Sequence, residues 1–139
     1  MAIKTSESGT TYRNRLTKSI VLAIRKLMQK GQPDQESLDM AAYVALALEK
    51  IEESVDSSAL AWEKRDYWLK ADRFRMKWAW VQICRQTLEQ TILAQDWEKI
   101  ATELIQVAQK LNDVEVSERN RLGEPWVGAY EVLENRPKR

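Results

Sequence analysis

The residue types that most often carry chemistry in proteins are scarce in this 139-residue chain. It contains no histidine and a single cysteine, Cys84, so it lacks the commonest general base and the commonest ligand of transition metals. One cysteine forms neither an internal disulfide nor a zinc site built from cysteines. Glycine-rich phosphate loops and the Gly-x-Ser-x-Gly nucleophile elbow are also missing from the sequence. The composition therefore predicts a protein that is not an enzyme and needs no cofactor, and Cys84 is interpreted as a small apolar core residue.

The densest group of potential ligands is acidic. Glu49, Glu52, Glu53 and Asp56 recur at helical spacing and therefore share one helical face. Carboxylates on bundle helices can hold two metal ions, but such sites normally add Glu-x-x-His pairs from two helices. Because histidine is absent, we expect no metal site here, and we interpret the four residues as a solvated acidic face that meets basic helices.

The elements that position these residues are predicted to be helices. The 89 residues between Pro33 and Gly123 contain neither glycine nor proline and are rich in helix-forming residues. One straight helix of that length would span about 130 Å, so the segment must fold back on itself. Clusters of polar residues predict the turns, which are placed at Ser54–Ser58, Gln95–Asp96 and Asn112–Asp113.

Four long helices and a C-terminal segment follow from these turns. The predicted helices cover residues 11–30, residues 34–55 with Asp34 as the N-cap, residues 58–94, and residues 97–111 with Asp96 as the N-cap. Ser117–Arg121 is predicted to add one further turn. Trp126, Tyr130 and Leu133 are predicted to dock as a strap, with residues 1–10 and 135–139 frayed. At this length we expect a single domain over residues 1–139.

Charge alternates along the chain although the total is only +1. The net charge is +6 over residues 1–30, −6 over 31–61, +4 over 62–85, −4 over 86–116 and +1 over 117–139. An antiparallel bundle would give each basic helix an acidic neighbour. We therefore predict an all-α fold, an antiparallel bundle of about four helices with a C-terminal strap.

The longest apolar run, Met40–Leu48, is too short to span a membrane. The sequence shows no export signal and no paired cysteines, so we expect a cytoplasmic protein without a transmembrane segment.

The predicted helix over residues 58–94 carries apolar residues on two opposite sides. One stripe consists of Leu60, Tyr67, Ala71, Phe74, Trp78, Val81, Leu88 and Ile92. The other stripe consists of Trp62, Leu69, Met76, Trp80 and Ile83, displaced by two positions or about 200° around the helix. A surface helix needs only one apolar face. The simpler interpretation is a central helix that is covered on both sides, and the alternative is that one face meets a partner.

The function predicted from this pattern is that of a protein–protein interaction module: an adaptor, assembly factor or regulator that binds a protein partner or a second copy of itself. Tryptophan, methionine and arginine are enriched at the centres of protein interfaces. The residues predicted to form the contact and its charged rim are Trp62, Leu69, Met76, Trp80, Arg65, Arg73 and Lys77.

Nucleic-acid binding is the alternative function that the sequence leaves open. The segment WEKRDYWLKADRFRMKWAW, residues 62–80, interleaves aromatic residues with basic ones such as Lys70 and Arg73. Such mixtures bind phosphates and stack on bases. Three acidic residues within the segment reduce its charge, and each basic block has an acidic neighbour. Binding through the basic helices 11–30 and 58–94 therefore ranks below protein binding.

The aromatic segment over residues 62–80 and the closing sequence GEPWVGAYEVLENR, residues 123–136, resemble small, uncharacterised helical proteins of cyanobacteria. The resemblance implies a cyanobacterial source and no particular function.

Overall fold

The computed structural model describes residues 7–117 and 123–137. Helices occupy 78% of these residues, and no strand occurs among them. The helices are α1 (Gly9–Lys30), α2 (Gln35–Lys64), α3 (Trp68–Leu93), α4 (Trp97–Lys110) and α5 (Ala129–Glu134). The predicted all-helical class is confirmed for the part of the chain that is described. Within that part, no helix is long and apolar enough to cross a membrane.

Helix α1 begins two residues before its predicted start and ends where it was predicted to end. The Ser8 side chain caps it by accepting a hydrogen bond from the Thr11 backbone N–H at 3.1 Å. Gly31 ends the helix at φ +75°, a left-handed conformation that glycine adopts without steric cost. Most of the turn predicted over Ser117–Arg121, and parts of the predicted frayed ends, lie outside the described residues.

The turn predicted at Ser54–Ser58 is wrong, because α2 runs through this segment and ends at Lys64. Val55 and Ala59 lie four residues apart and are both buried, so the apolar face of the helix continues across the polar cluster. Serine and aspartate favour turns only weakly, and here the packing of this face determines the local structure.

The chain reverses instead at Asp66, whose φ is +63°. The Tyr67 N–H donates to the Trp62 carbonyl at 2.9 Å and the Asp66 N–H donates to the Glu63 carbonyl at 3.0 Å, which defines a Schellman motif. The reversal predicted at Gln95–Asp96 is confirmed and uses the same motif, with Gln95 at φ +53°. Neither motif uses glycine, so no glycine marks either reversal in the sequence.

Helix α2 is the central element and packs against α1, α3 and α5. Alanines on several sides of α2 are buried and allow the neighbouring helices to approach closely. Arg75 of α3 pairs with Asp56 and Arg85 of α3 pairs with Glu52, so α2 and α3 run in opposite directions. Helix α4 packs against α3 and also touches α1.

Arg13 of α1 is buried and joins three helices. Its Nη1 donates to the Ser54 and Ser58 hydroxyls of α2 at 2.9 and 3.0 Å, and its guanidinium lies 4.7 Å from the Phe74 ring centre of α3. Burial lowers the pKa of Arg13. Its buried charge is therefore stabilised by hydroxyl groups and an aromatic ring.

Arg85 of α3 is also buried, but its partners are carboxylates. It donates to Glu52 at 2.6 Å and to Glu89 at 3.1 Å. Burial opposes the charge of Arg85, but these hydrogen bonds outweigh that effect and raise its pKa. Glu89 also lies 3.7 Å from Arg136, which pairs with Glu49 of α2. The network thus connects α2, α3 and the C-terminal segment.

The C-terminal segment, residues 123–137, includes α5 and packs on α2. Trp126, Tyr130 and Leu133 are all buried. The Asp39 carboxylate of α2 accepts hydrogen bonds from the Tyr130 N–H at 3.0 Å and the Gly128 N–H at 3.3 Å. Asp39 therefore caps the start of α5 from another helix.

Replacing this cap should destabilise the protein. We expect Asp39→Ala to lower the free energy of unfolding by about 1–2 kcal/mol, because two part-buried backbone N–H groups lose their acceptor. Asp113→Ala is the matched control, since Asp113 is exposed, and it should change stability by less than about 0.5 kcal/mol. Urea unfolding followed by circular dichroism measures both, and equal values would contradict the assigned role of Asp39.

Candidate functional site

The most unusual surface of the described chain is the outer face of α3, defined here by Leu69, Met76, Trp80 and Ile83. Leu69, Met76 and Ile83 are 62%, 73% and 66% exposed. They are spaced by seven residues and therefore form one line of about 21 Å along the helix. Single exposed apolar residues are common, but here three of them are aligned on one side of one helix.

Only one of the two apolar stripes of this helix is buried. Ala71, Val81, Leu88 and Ile92 are buried, and α3 packs on α2. Since α2 holds the central position, the interpretation of the predicted 58–94 helix as a central helix covered on both sides is wrong. Two members of the first stripe, Leu60 and Tyr67, are exposed, because the reversal at Asp66 interrupts the helix on which the stripe was drawn.

The two predicted contact tryptophans differ from Leu69 and Met76 in their surroundings. Trp62 lies on α2, on the other side of the reversal, and meets the Phe74 ring edge-on with centroids 4.8 Å apart. Trp80 is half-buried, stacks near Trp78 at 6.4 Å and packs against the core. Leu69 and Met76 therefore provide most of the exposed apolar surface in the predicted set.

A basic rim, defined as Arg65, Lys70, Arg73 and Lys77, lies along the first half of α3 and the preceding turn. All four side chains are exposed. Arg65 lies 5.2 Å from the Tyr67 ring centre, and Lys70 lies 4.5 Å from that of Trp62. Within the described residues none of the four cations forms an ion pair. Lys70 and Arg73 therefore do not pair with an acidic residue of their own helix. The rim therefore keeps its positive charge.

The predicted contact set omits Trp68, although the sequence places this residue near Lys70, Arg73 and Lys77. Trp68 is the first residue of α3 and is exposed. Its exposure follows from the reversal at Asp66, and the sequence signal that could have revealed it is an aspartate between two helical runs, since aspartate tolerates the left-handed conformation.

The four acidic residues predicted to form a solvated face line a groove of about 470 Å³ between α2 and α3. Glu52 pairs with Arg85 and Asp56 pairs with Arg75 at 3.1 Å, so the predicted meeting with a basic helix is confirmed for these two. The acidic residues thus help to hold α3 on α2. Among the described residues no group of side chains has the composition and arrangement of a metal site.

Comparison with known proteins identifies no relative of this chain: no family model matches it, and no curated protein or solved structure is significantly similar to it. The resemblance to helical proteins of cyanobacteria stays a prediction.

The exposed methionine and the half-buried tryptophan of the outer face should respond differently to the same substitution. We expect Met76→Glu to change the free energy of unfolding by less than about 0.5 kcal/mol, as is usual for surface sites. Trp80→Glu should cost about 2 kcal/mol or more, because it removes packing against Trp78 and places a charge against the core. Urea unfolding compares the two variants, and equal losses would show that both side chains pack alike.

Cys84 should react slowly in the folded protein. Burial, aided by the negative charge of Glu103 on α4, raises the pKa of the Cys84 thiol above its ordinary value of 9.0, so the reactive thiolate is rare at neutral pH. We expect a thiol-specific disulfide reagent to modify the native protein much more slowly than the protein unfolded in urea. Equal rates would show an accessible thiolate and contradict the burial of Cys84.

Proposed function

We propose that this protein is a non-enzymatic protein–protein interaction module that binds its partner through the outer face of α3. The observation that carries the proposal is the exposure of Leu69, Met76 and Ile83 in one line on a helix whose opposite side is buried. Covering apolar side chains of this size contributes about 1.5–3 kcal/mol each when burial is complete. An adaptor, assembly factor or regulator needs such a surface and no catalytic group.

The proposal includes an architecture that would present this face. In it, α1 to α4 form an antiparallel bundle and residues 123–137 act as a strap across α2. The opposite directions of α2 and α3 and the capping of α5 by Asp39 support this arrangement. A cytoplasmic location is part of the same proposal and is based on the use of cysteine, because Cys84 is a lone, buried thiol.

Nucleic-acid binding is a second candidate, favoured by the exposed Trp68 beside the unpaired basic rim. It has less support, because the most exposed residues of the outer face, Leu69, Met76 and Ile83, offer neither an aromatic ring nor a charge to a nucleotide. Arg13, a cation of the predicted basic helix 11–30, is also buried. Nucleic-acid binding would weaken steeply with salt and would be insensitive to a neutral polar substitution at Met76.

The test compares two methionines that are both exposed. Affinity-tagged wild-type protein, Met76→Glu and Met28→Glu are purified from the native cell, and the mass of each complex is measured by size-exclusion chromatography with light scattering. We expect Met76→Glu to lose the complex, because a carboxylate would be buried at the contact. Met28→Glu makes the same chemical change on α1, away from the outer face, and should keep it.

The outcome is informative only if Met76→Glu is folded, which its urea unfolding curve establishes. A folded Met76→Glu protein that retains every complex formed by the wild type would overturn the assignment of the outer face.

A further inference from the structure

We propose that the partner of the outer face is an amphipathic helix whose flanks carry carboxylates. This inference rests on the proposed function, because it names the occupant of the same surface. Its basis is that the outer face repeats, on the solvent side of α3, the pattern by which α3 binds α2.

The inner side of α3 shows what this helix binds. There an apolar stripe packs on α2, and the neighbouring arginines pair with carboxylates of the helix they meet: Arg75 with Asp56 and Glu63, and Arg85 with Glu52. Residues 31–61, which supply most of α2, contain seven acidic residues and one basic residue. Helix α2 is therefore an acidic helix bound to the basic helix α3.

The outer face of α3 has the same two components, an apolar line and neighbouring cations. In the part of the chain that is described, no helix covers it. Leu69, Met76 and Ile83 form a line with heptad spacing, which is the spacing that a second helix covers at a shallow left-handed crossing angle. A facing helix of about four turns would match its length of about 21 Å. An extended strand repeats every two residues and does not match this spacing.

The charge around the line indicates the flanks of the occupant. The basic rim contributes four positive charges, and the neighbouring Asp66 and Asp72 contribute two negative charges, so the local net charge is +2. Arg65, Lys70 and Lys77 each lie against an aromatic ring, which restricts where the charge is presented. Carboxylates on the partner would pair with these cations in the way that the α2 carboxylates pair with Arg75 and Arg85.

A second copy of this chain fits less well. In a two-fold dimer built on the outer face, the same surface occurs on both sides, so the +2 charge of one copy meets the +2 charge of the other. With Met76 near the axis, Arg73 and Lys77 would lie close to their own images. Like charges that face each other weaken such a contact.

The experiment uses the full chain and two synthetic helical peptides of identical composition. Both peptides carry leucine at the a and d positions of each heptad. The acid-flanked peptide has glutamate at e and g, lysine at b and c and glutamine at f, and the base-flanked peptide exchanges the glutamates and the lysines. We expect the acid-flanked peptide to bind about tenfold more tightly by fluorescence anisotropy, since several weak pairs combine. The difference should shrink as salt rises from about 0.05 to about 0.5 M.

Charge reversal on the protein tests the rim directly. The double variant Arg73→Glu with Lys77→Glu should reverse the order of the two peptides. The control double variant Lys18→Glu with Arg25→Glu makes the same change in net charge on exposed residues of α1 and should leave the order unchanged. Reversal by both double variants would show a general charge effect and overturn the role of the rim.

The remaining outcomes separate this inference from the proposed function. Equal binding of both peptides, abolished by Met76→Glu, would overturn the acidic partner and leave the outer face as a docking site. Binding of neither peptide would also overturn it, and the complexes purified from the native cell would then decide the proposed function alone. A dimer that Met76→Glu dissociates would identify a second copy instead. Binding to vesicles of equal parts phosphatidylcholine and phosphatidylglycerol, without a preference between peptides, would assign the surface to lipid.

Discussion

Helix α2 packs against α1, α3 and α5 at once. This burial of α2 on several sides determines which surfaces of the other helices stay exposed. It depends on the alanines of α2, since small side chains allow close approach from several directions. A helix that packs on α2 buries one stripe against it and keeps its other side for a different neighbour. Helix α4 covers part of α3, including Cys84, but the line from Leu69 to Ile83 remains exposed among the described residues.

The buried charges specify how the helices meet. Arg85 reaches carboxylates on two helices, whereas Arg13 reaches two serine hydroxyls and the ring of Phe74. A buried ion pair is weak evidence for stability, because desolvation offsets much of its attraction. Leaving one partner unmatched is costly, however, so a shifted register between α2 and α3 would be penalised. These arginines therefore select one alignment of the helices over its neighbours.

Much of the fold could be predicted from local sequence because caps act locally. Asp34 and Asp96 cap α2 and α4 as predicted, each accepting a hydrogen bond from a backbone N–H three residues ahead. The reversal at Asp66 could not be placed in this way, since α3 follows Tyr67, whose side chain forms no capping hydrogen bond, and no glycine marks the Schellman motif. The serines that suggested a turn at Ser54–Ser58 instead accept hydrogen bonds from Arg13, forty or more residues earlier in the chain. A contact of that separation has no local signature.

The two apolar stripes of the third predicted helix were visible in the sequence, but which of them is buried was not. Leu69 and Leu88 have the same side chain, and their exposure differs because α2 and not α3 occupies the centre. The charges separate the stripes more clearly than the apolar residues do. Arg85 beside the inner stripe pairs with Glu52 of α2, and Arg73 beside the outer stripe has no carboxylate partner among the described residues. On the inner side of α3, arginines have carboxylate partners on α2, and on the outer side the exposed cations have none among the described residues. This difference is the physical reason to expect an acidic helix on the outer side.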